Sequence, residues 1–294
     1  MLASTFSLSL TGLLSKFLSQ YIDLALLGFL RFIVPAILIL LVFRLPVKLP
    51  ERRQLNTILI RSICIASCQI CFIYALIHLS LVESIVLFGT GPLFIPVLER
   101  LIYSTRLQWT SVAGLIATFL GVLLLAGDLS DMSFRPELVV GLAAGLFNAG
   151  SQLTLYRVSK SNLSALEINY WTFLLAGIVL LPFVGFSYES FETLVDLTVV
   201  RWEWLIVVLL LTSMLIINTQ VFRSKAYRLA ETGSQLAPLV FTNLLFTALW
   251  QTIFYNVSYS VTQCLGLMLI VVANAFVVLF PIYRARQGRA LAAR

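Results

Sequence analysis

Ten mostly apolar runs, each about 20 residues long, follow one another along this chain of 294 residues with short polar connections between them. A helix of about 20 residues crosses the hydrocarbon core of a bilayer, which is roughly 30 Å thick. The runs are continuous and lack the alternation of polar and apolar residues that a transmembrane barrel requires. The sequence therefore predicts an all-α integral membrane protein with ten transmembrane helices. These spans are predicted at residues 3–20, 24–43, 57–78, 84–103, 108–127, 138–157, 165–186, 203–222, 232–254 and 258–280.

Composition excludes a soluble fold. Hydrophobic residues make up 60% of the chain and charged residues 11%, whereas soluble domains have about 45–50% and about 25%. The net charge of +7 comes from Lys and Arg residues that stand singly or in pairs at the ends of apolar runs. They form no continuous basic face of the kind that binds nucleic acid. The lipid bilayer is therefore an expected partner, and neither nucleic acid nor a cofactor is expected.

Lys and Arg residues collect in every second connection and at the C-terminus. Positive residues near span ends are kept on the cytosolic side, so an even number of spans with both termini in the cytosol fits this pattern. The basic set is Arg44, Lys48, Arg52, Arg53, Arg100, Arg106, Arg157, Lys160, Arg223, Lys225, Arg228, Arg284, Arg286, Arg289 and Arg294. The other connections carry Asp23, Glu83, Asp128, Asp131, Glu137, Glu189, Glu192, Asp196 and Glu203.

The two halves of the chain contain similarly spaced residues. Ala75, Pro92 and Gly114 are separated by 17 and 22 residues, and the matching residues of the second half by 17 and 23. Those matching residues are Ala226, Asn243 and Gly266. Each half then holds five spans, and a unit with an odd number of spans is inverted in its second copy, as in many secondary carriers. Chance similarity between two apolar stretches is the alternative explanation.

Several short motifs resemble the EamA family of the drug/metabolite transporter superfamily. In the first half they are YALIHLS at residues 74–80 and GPLF at residues 91–94. In the second half they are AYRLA at residues 226–230 and LAPL at residues 236–239. The resemblance covers essentially the whole chain, because the order and spacing of the motifs match as well.

This resemblance implies a secondary transporter that moves a small organic metabolite by alternating access. It implies five-helix inverted repeats at residues 1–130 and 137–283, a basic cytosolic tail at 284–294, and a central cavity lined by spans 1, 3, 4, 6, 8 and 9. The expected location is the bacterial cytoplasmic (inner) membrane, and a homodimer is compatible with the sequence. Segment 236–239 is most similar to members linked with S-adenosylmethionine or riboflavin uptake, and an amino acid is a further candidate substrate.

Polar side chains inside the spans are candidates for substrate contact, because a polar group in hydrocarbon costs free energy unless it has a partner. Asn148 and Gln152 lie four residues apart and therefore share one face of span 6. Gln69 of span 3 and the pair Asn218 and Gln220 of span 8 are further amide candidates. The alternative is that these amides join helices, at about 0.6 kcal/mol per hydrogen bond.

Two basic residues lie too deep in their spans to be simple end anchors. Lys16 of span 1 is a candidate for binding a substrate carboxylate. For Arg31, on a span that the resemblance places outside the cavity, we expect a structural partner or a side chain that extends toward the periplasmic face. Arg61, Glu99 and Glu167 lie near the cytosolic ends of their spans, where extension to the interface or a local ion pair accounts for them. We expect no transport role for these three.

Helix breaks are predicted at similar places in the two halves. Proline donates no hydrogen bond to the carbonyl four residues back, so Pro92, next to Gly91, interrupts span 4 and Pro238 interrupts span 9. Such breaks near the membrane midplane indicate a binding site, although packing kinks give the same pattern. Tyr74 is a candidate aromatic face for a planar substrate.

Three cysteines suggest a different function. Cys64, Cys68 and Cys71 share one face of span 3, and His78 continues that face. Soft sulfur and imidazole ligands suit copper(I), but cysteine also fills helix interfaces. A membrane metal-handling protein and a non-transporting membrane scaffold are therefore the alternatives. An enzyme is not expected, because the sequence has no serine-nucleophile, metal-ligand or paired-acid motif.

Overall fold

A computed structural model of the chain describes residues 1–44, 48–79, 81–104, 109–126, 136–186, 202–255 and 259–292, and its regular elements are helices. They are α1 (Leu2–Leu18), α2 (Leu24–Val42), α3 (Arg52–His78), α4 (Leu81–Gly89), α5 (Gly91–Tyr103), α6 (Trp109–Ala126), α7 (Pro136–Ser159), α8 (Ala165–Phe186), α9 (Trp202–Leu229), α10 (Thr242–Tyr255) and α11 (Val261–Ala292). A 3-10 helix at Pro238–Phe241 precedes α10. Some residues that carried the sequence predictions lie outside the described part: Ser80, Arg106, Asp128, Asp131, Glu189, Glu192, Asp196 and Arg294.

Each predicted span coincides with one helix or with an interrupted pair. Six helical segments are long and apolar enough to cross a membrane, judged by length and composition. Four shorter apolar segments coincide with the remaining spans: Leu2–Leu18, Val112–Leu125, Pro238–Phe254 and Val261–Val277. Helices α4 and α5 together form span 4, and the 3-10 helix with α10 forms span 9. The all-α prediction is confirmed, while the inverted repeat and the cytosolic termini stay predictions.

Helices α1 and α9 are antiparallel. Ser4, at the start of α1, donates a hydrogen bond to the carbonyl oxygen of Thr219, late in α9. Leu18, at the end of α1, packs in one cluster with Leu205, at the start of α9. We call the end of the bundle that contains Met1 the Met1 end. A second cluster places the start of α3 and the ends of α7 and α9 together, so the helices alternate in direction as successive spans must.

The bundle buries polar side chains among apolar clusters, and its outer surface is rich in large apolar side chains. The buried face of α1 is hydroxyl-rich, and it consists of Ser4, Thr5, Ser7, Ser9 and Thr11 together with Leu18. On the outer surface, large apolar side chains such as Leu101 and Met268 are exposed by 74% and 67%. This distribution fits a lipid environment, where apolar side chains can face outward and polar groups must find partners inside.

Hydroxyl groups dock α1 against the second half of the chain. Besides Ser4, Ser7 accepts a hydrogen bond from Asn218 of α9 at 2.7 Å. Ser9 accepts one from the Trp250 indole of α10 at 3.0 Å. Small polar residues allow close helix approach and interhelical hydrogen bonds in membranes. These contacts fix α1 between α9 and α10, and one face of α1 therefore borders the centre of the bundle.

Helices α6 and α11 pack backbone against backbone. A Cβ atom built on Gly121 would lie 2.8 Å from the Gly266 carbonyl oxygen, and one built on Gly266 would lie 2.6 Å from the Gly121 carbonyl oxygen. Only glycine permits this approach, as in other close helix pairs in membranes. The pair forms one side of the bundle.

Side-chain caps define several helix starts. Asp23 accepts the backbone N–H of Ala25 at 2.7 Å at the start of α2. At the start of α8, Ser164 and Glu167 form reciprocal bonds, with the Ser164 N–H donating to the Glu167 carboxylate at 2.7 Å and the Glu167 N–H donating to the Ser164 hydroxyl at 3.2 Å. This is a capping box, and it accounts for Glu167 without an ion pair.

Candidate functional site

A cavity of about 350 Å³ lies at the centre of the bundle. Its walls come from both halves of the chain, with most residues on α1, α3, α4, α7, α9 and α10. These helices correspond to the spans that the family resemblance predicted. Helices α2, α6 and α8 also contribute, through residues such as Arg31, Val122 and Phe173. We call this space the central cavity.

The interruption of span 4 borders the central cavity. Helix α4 ends at Gly89, Thr90 forms a turn, and α5 starts at Gly91 with Pro92 in its first turn. The Thr90 N–H and hydroxyl both donate to the Leu87 carbonyl oxygen, at 3.1 and 2.6 Å. The break predicted from Pro92 is confirmed, and Gly89 and Pro92 line the cavity.

The interruption of span 9 takes a different form. Pro238 begins the 3-10 helix, and the Ser234 carbonyl oxygen accepts the N–H of Ala237 at 3.3 Å. Val240 and Phe241 of this segment line the central cavity. Pro238 itself is buried and is not among the lining residues. Its role is therefore to shape the backbone at the cavity wall.

Four predicted amide residues line the central cavity, and they are Gln69, Asn148, Gln152 and Gln220. The Gln152 amide oxygen accepts a hydrogen bond from the Tyr227 hydroxyl at 3.3 Å. Asn148 lies beside Gly91, where an added Cβ would come within 2.9 Å of the Asn148 amide nitrogen. The absence of a side chain at Gly91 therefore makes room for Asn148 at the wall.

Five predicted site residues are not among those that line the cavity: Gly91 and Pro238 at the helix breaks, and Lys16, Tyr74 and Asn218. Lys16 is exposed near the end of α1. Tyr74 is 39% exposed, and its ring contacts the His78 ring at a tilt of 43° with centroids 4.3 Å apart. Asn218 donates its amide to Ser7, which makes it a helix-joining contact. The structure does not place Lys16, Tyr74 or Asn218 at the central cavity, and their contact with a substrate stays a prediction.

Three arginines line the central cavity, and sequence reasoning assigned none of them to it. They are Arg31 of α2, Arg61 of α3 and Arg223 of α9. Arg61 is 1% exposed and Arg223 is 5% exposed. The Arg61 guanidinium donates to the Gln220 amide oxygen at 3.2 Å. Both Arg31 and Arg61 line the cavity, so extension toward a membrane surface does not account for either side chain.

A buried carboxylate joins the two halves of the chain at the Met1 end. Glu99 of α5 is 2% exposed and accepts the backbone N–H groups of Gly233 at 2.7 Å and Ser234 at 2.9 Å. These backbone N–H groups replace water around the buried carboxylate. The expected ion pair or extension to the interface was wrong, and Glu99 instead fixes the segment that precedes the 3-10 helix.

Further contacts hold the same segment. The Tyr156 hydroxyl donates to the Glu231 carbonyl oxygen at 2.5 Å, and the Lys160 ammonium donates to the Arg228 and Ala230 carbonyl oxygens. Nearby, burial and, to a smaller extent, the charge of Arg223 lower the pKa of the Met1 amino group. Helices α5 and α7 are thus tied to α9 and its continuation at the Met1 end.

The cysteine face of α3 does not form a metal centre in the described part of the chain. No group of three or more His, Cys, Asp or Glu side chains there is placed to share a metal ion. Cys64 lies against Gly150 of α7, Cys68 lines the central cavity, and the His78 ring contacts the Tyr74 ring. The three cysteines are free thiols, and they lie in different surroundings.

Comparisons with known proteins match nearly the whole chain. The model of the EamA-like transporter family matches residues 1–127 and 136–279. Two similar proteins are both named Pseudopaline exporter CntI, from Pseudomonas aeruginosa strains UCBPP-PA14 and PAO1. Each is 24% identical over 270 residues, which cover 92% of this chain and 91% of the relative. A solved crystal structure has a TM-score of 0.73 at 18% identity and covers 95% of this chain and 97% of its own, which shows a shared fold.

Proposed function

Because this chain belongs to the EamA-like transporter family, we propose that it is a secondary carrier that moves a small organic metabolite across the cytoplasmic membrane by alternating access. The observation that carries the proposal is the central cavity, which polar side chains from both halves line inside an otherwise apolar bundle. A site of this kind at the interface of two halves is typical of secondary carriers. A non-transporting scaffold would have no use for buried amides that face an open space.

The two segments that match the family model, 1–127 and 136–279, support a division into two inverted five-helix repeats. The distribution of Lys and Arg supports cytosolic termini. Under that orientation the Met1 end is the cytosolic end, and the contacts of Glu99, Tyr156 and Lys160 hold that end closed. Opening would require these contacts to break while the opposite end closes.

The relatives and the size of the cavity bear on the direction of transport and on the substrate. The relatives are exporters by name, which favours export for this chain as well. S-adenosylmethionine, riboflavin and amino acids remain the candidates that the sequence suggested. A cavity of about 350 Å³ lies at the lower end of the usual range for small-molecule sites, and this favours a small substrate.

Uptake into proteoliposomes tests the proposal. We would measure the flux of radiolabelled S-adenosylmethionine, riboflavin and aromatic amino acids with the wild-type protein and with Gln152→Ala. The matched control is Gln263→Ala on α11, since the Gln263 amide donates to the Leu125 carbonyl oxygen at 3.3 Å and lies outside the cavity. Saturable flux that only the Gln152 variant loses would support the central cavity as the transport site.

The same preparation tests the metal alternative. If no compound moves and the purified protein contains about one copper per chain, and if Cys68→Ser removes that copper, metal handling replaces the carrier proposal. Copper content that is negligible in the wild-type protein, together with saturable flux, would exclude the alternative.

A further inference from the structure

Two of the three cavity arginines, Arg61 and Arg223, have buried donor groups without partners among the described residues. Within the described residues, Nε and Nη1 of Arg61 and Nε and Nη2 of Arg223 meet no hydrogen-bond acceptor. The contact between Arg61 and Gln220 satisfies only one further nitrogen. Buried polar groups in folded proteins almost always have partners, so these donors mark a place where a binding partner completes the site.

The charge of the cavity is also unbalanced. No Asp or Glu is present among the described residues that line it. Glu99 is already engaged by the backbone N–H groups of Gly233 and Ser234. A buried cation is costly unless it is paired, and two or three cations in one cavity repel one another. A ligand that carries negative charge would relieve both costs.

We propose that the central cavity binds a small organic anion with at least two negatively charged oxygen groups, held by Arg61, Arg223 and Arg31. This inference rests on the proposed carrier function and names its substrate class. Guanidinium groups bind carboxylates and phosphates through two parallel hydrogen bonds. The amides of Gln69 and Asn148 line the same space and would bind uncharged polar groups of the substrate. A cationic sulfonium compound fits this cavity poorly.

Thermal unfolding of the purified full-length protein in a low-chloride buffer tests the proposal. The probes are succinate, citrate and glycerol 3-phosphate, and succinamide serves as an uncharged match to succinate. We expect the anions to raise the melting temperature in a saturable manner, since a ligand that binds only the folded state stabilises it, and succinamide to have no effect. The comparison of the carboxylates with the phosphate ester identifies which oxygen group the arginines prefer.

Variants of the arginines separate binding from structure. Arg61→Gln and Arg223→Gln should weaken anion binding at least 10-fold, and Arg61→Lys should fall between them and the wild type, because it keeps the charge but loses the planar fork. Without ligand, the Gln variants should melt at the wild-type temperature or above it, since an unpaired buried charge is removed. Arg157→Gln is the control, because Arg157 is an exposed residue whose guanidinium lies over the Tyr103 ring.

The outcomes distinguish this inference from the carrier proposal. Arginine-dependent anion binding without flux in proteoliposomes would support the anion site and contradict the carrier. Flux of an uncharged or cationic compound that is unchanged in Arg61→Gln and Arg223→Gln would support the carrier and overturn the anion site. Absence of any arginine-dependent stabilisation across the anion panel would also overturn it.

Discussion

Glu99→Gln tests how the Met1 end is held. In the wild-type protein the Glu99 carboxylate accepts two backbone N–H groups, at 2.7 and 2.9 Å. Glutamine has the same length but only one acceptor oxygen, so one N–H keeps a weaker, neutral bond and the other faces an NH₂ group. A hydrogen bond to a charged acceptor contributes about 1.5–3 kcal/mol. We expect the link between α5 and the segment after α9 to weaken by about that amount.

This loss translates into a measurable change in population. A difference of about 1.5–3 kcal/mol corresponds to roughly a 10- to 150-fold increase in the open form of the Met1 end. Cys68 lines the central cavity and is 7% exposed, so its reaction with a membrane-impermeant maleimide reports access. With the other three cysteines replaced by alanine, Glu99→Gln should increase the labelling rate of Cys68 at least 10-fold from the side of the Met1 end.

Glu167→Gln is the matched control. The Glu167 carboxylate also accepts a backbone N–H at 2.7 Å, but the bond lies within the capping box of α8 and joins no other helix. The same change of charge should therefore leave Cys68 labelling unaltered. Labelling of a folded Glu99→Gln protein that stays within twofold of its parent would refute the role of this carboxylate in holding the end closed.

Three further substitutions follow from the packing and the cavity. Gly121→Ala places a Cβ 2.8 Å from a carbonyl oxygen of α11, and the overpacking, which costs about 1–3 kcal/mol, should lower the melting temperature. Gly12→Ala is the control, because a Cβ at Gly12 has no neighbour within 4 Å. It should leave the melting temperature unchanged or raise it slightly. Gln152→Leu removes a cavity amide and the acceptor of Tyr227, and flux in proteoliposomes should fall at least 10-fold; flux near the wild-type value would contradict its role. Asn218→Ala removes a contact between helices and should cost about 0.5–1.5 kcal/mol of stability in thermal unfolding while KM stays within twofold.

Much of the fold follows from the sequence because the bilayer thickness sets the length of each span. The break at Gly91 and Pro92 was also predictable, since proline removes a backbone donor. Asn148 and Gln152 were found as cavity residues because their spacing places both on one face of a helix. These features depend on local chemistry alone.

Which side of a helix faces the cavity depends on tertiary packing and was harder to predict. Arg61 and Arg223 lie near span ends that the sequence assigns to the cytosolic side, where the preference for positive residues is enough to explain an arginine without a role in the cavity. Only the packed bundle shows that both are buried. The pair Asn218 and Gln220 shows one signal that sequence reasoning missed. Residues two positions apart in a helix, such as these, point about 200° away from each other around the helix axis. Both side chains therefore cannot face the same cavity.

Counterflow in proteoliposomes is the most direct measurement of the central claim. Vesicles loaded with unlabelled substrate are diluted into a trace of the same labelled compound, beginning with succinate and citrate and continuing through the metabolite panel. A carrier with one alternating-access site predicts transient accumulation of label above the outside concentration, lost in Arg223→Gln and Gln152→Leu but kept in Arg157→Gln. Absence of accumulation for every compound, or accumulation that these cavity variants leave unchanged, would contradict the account.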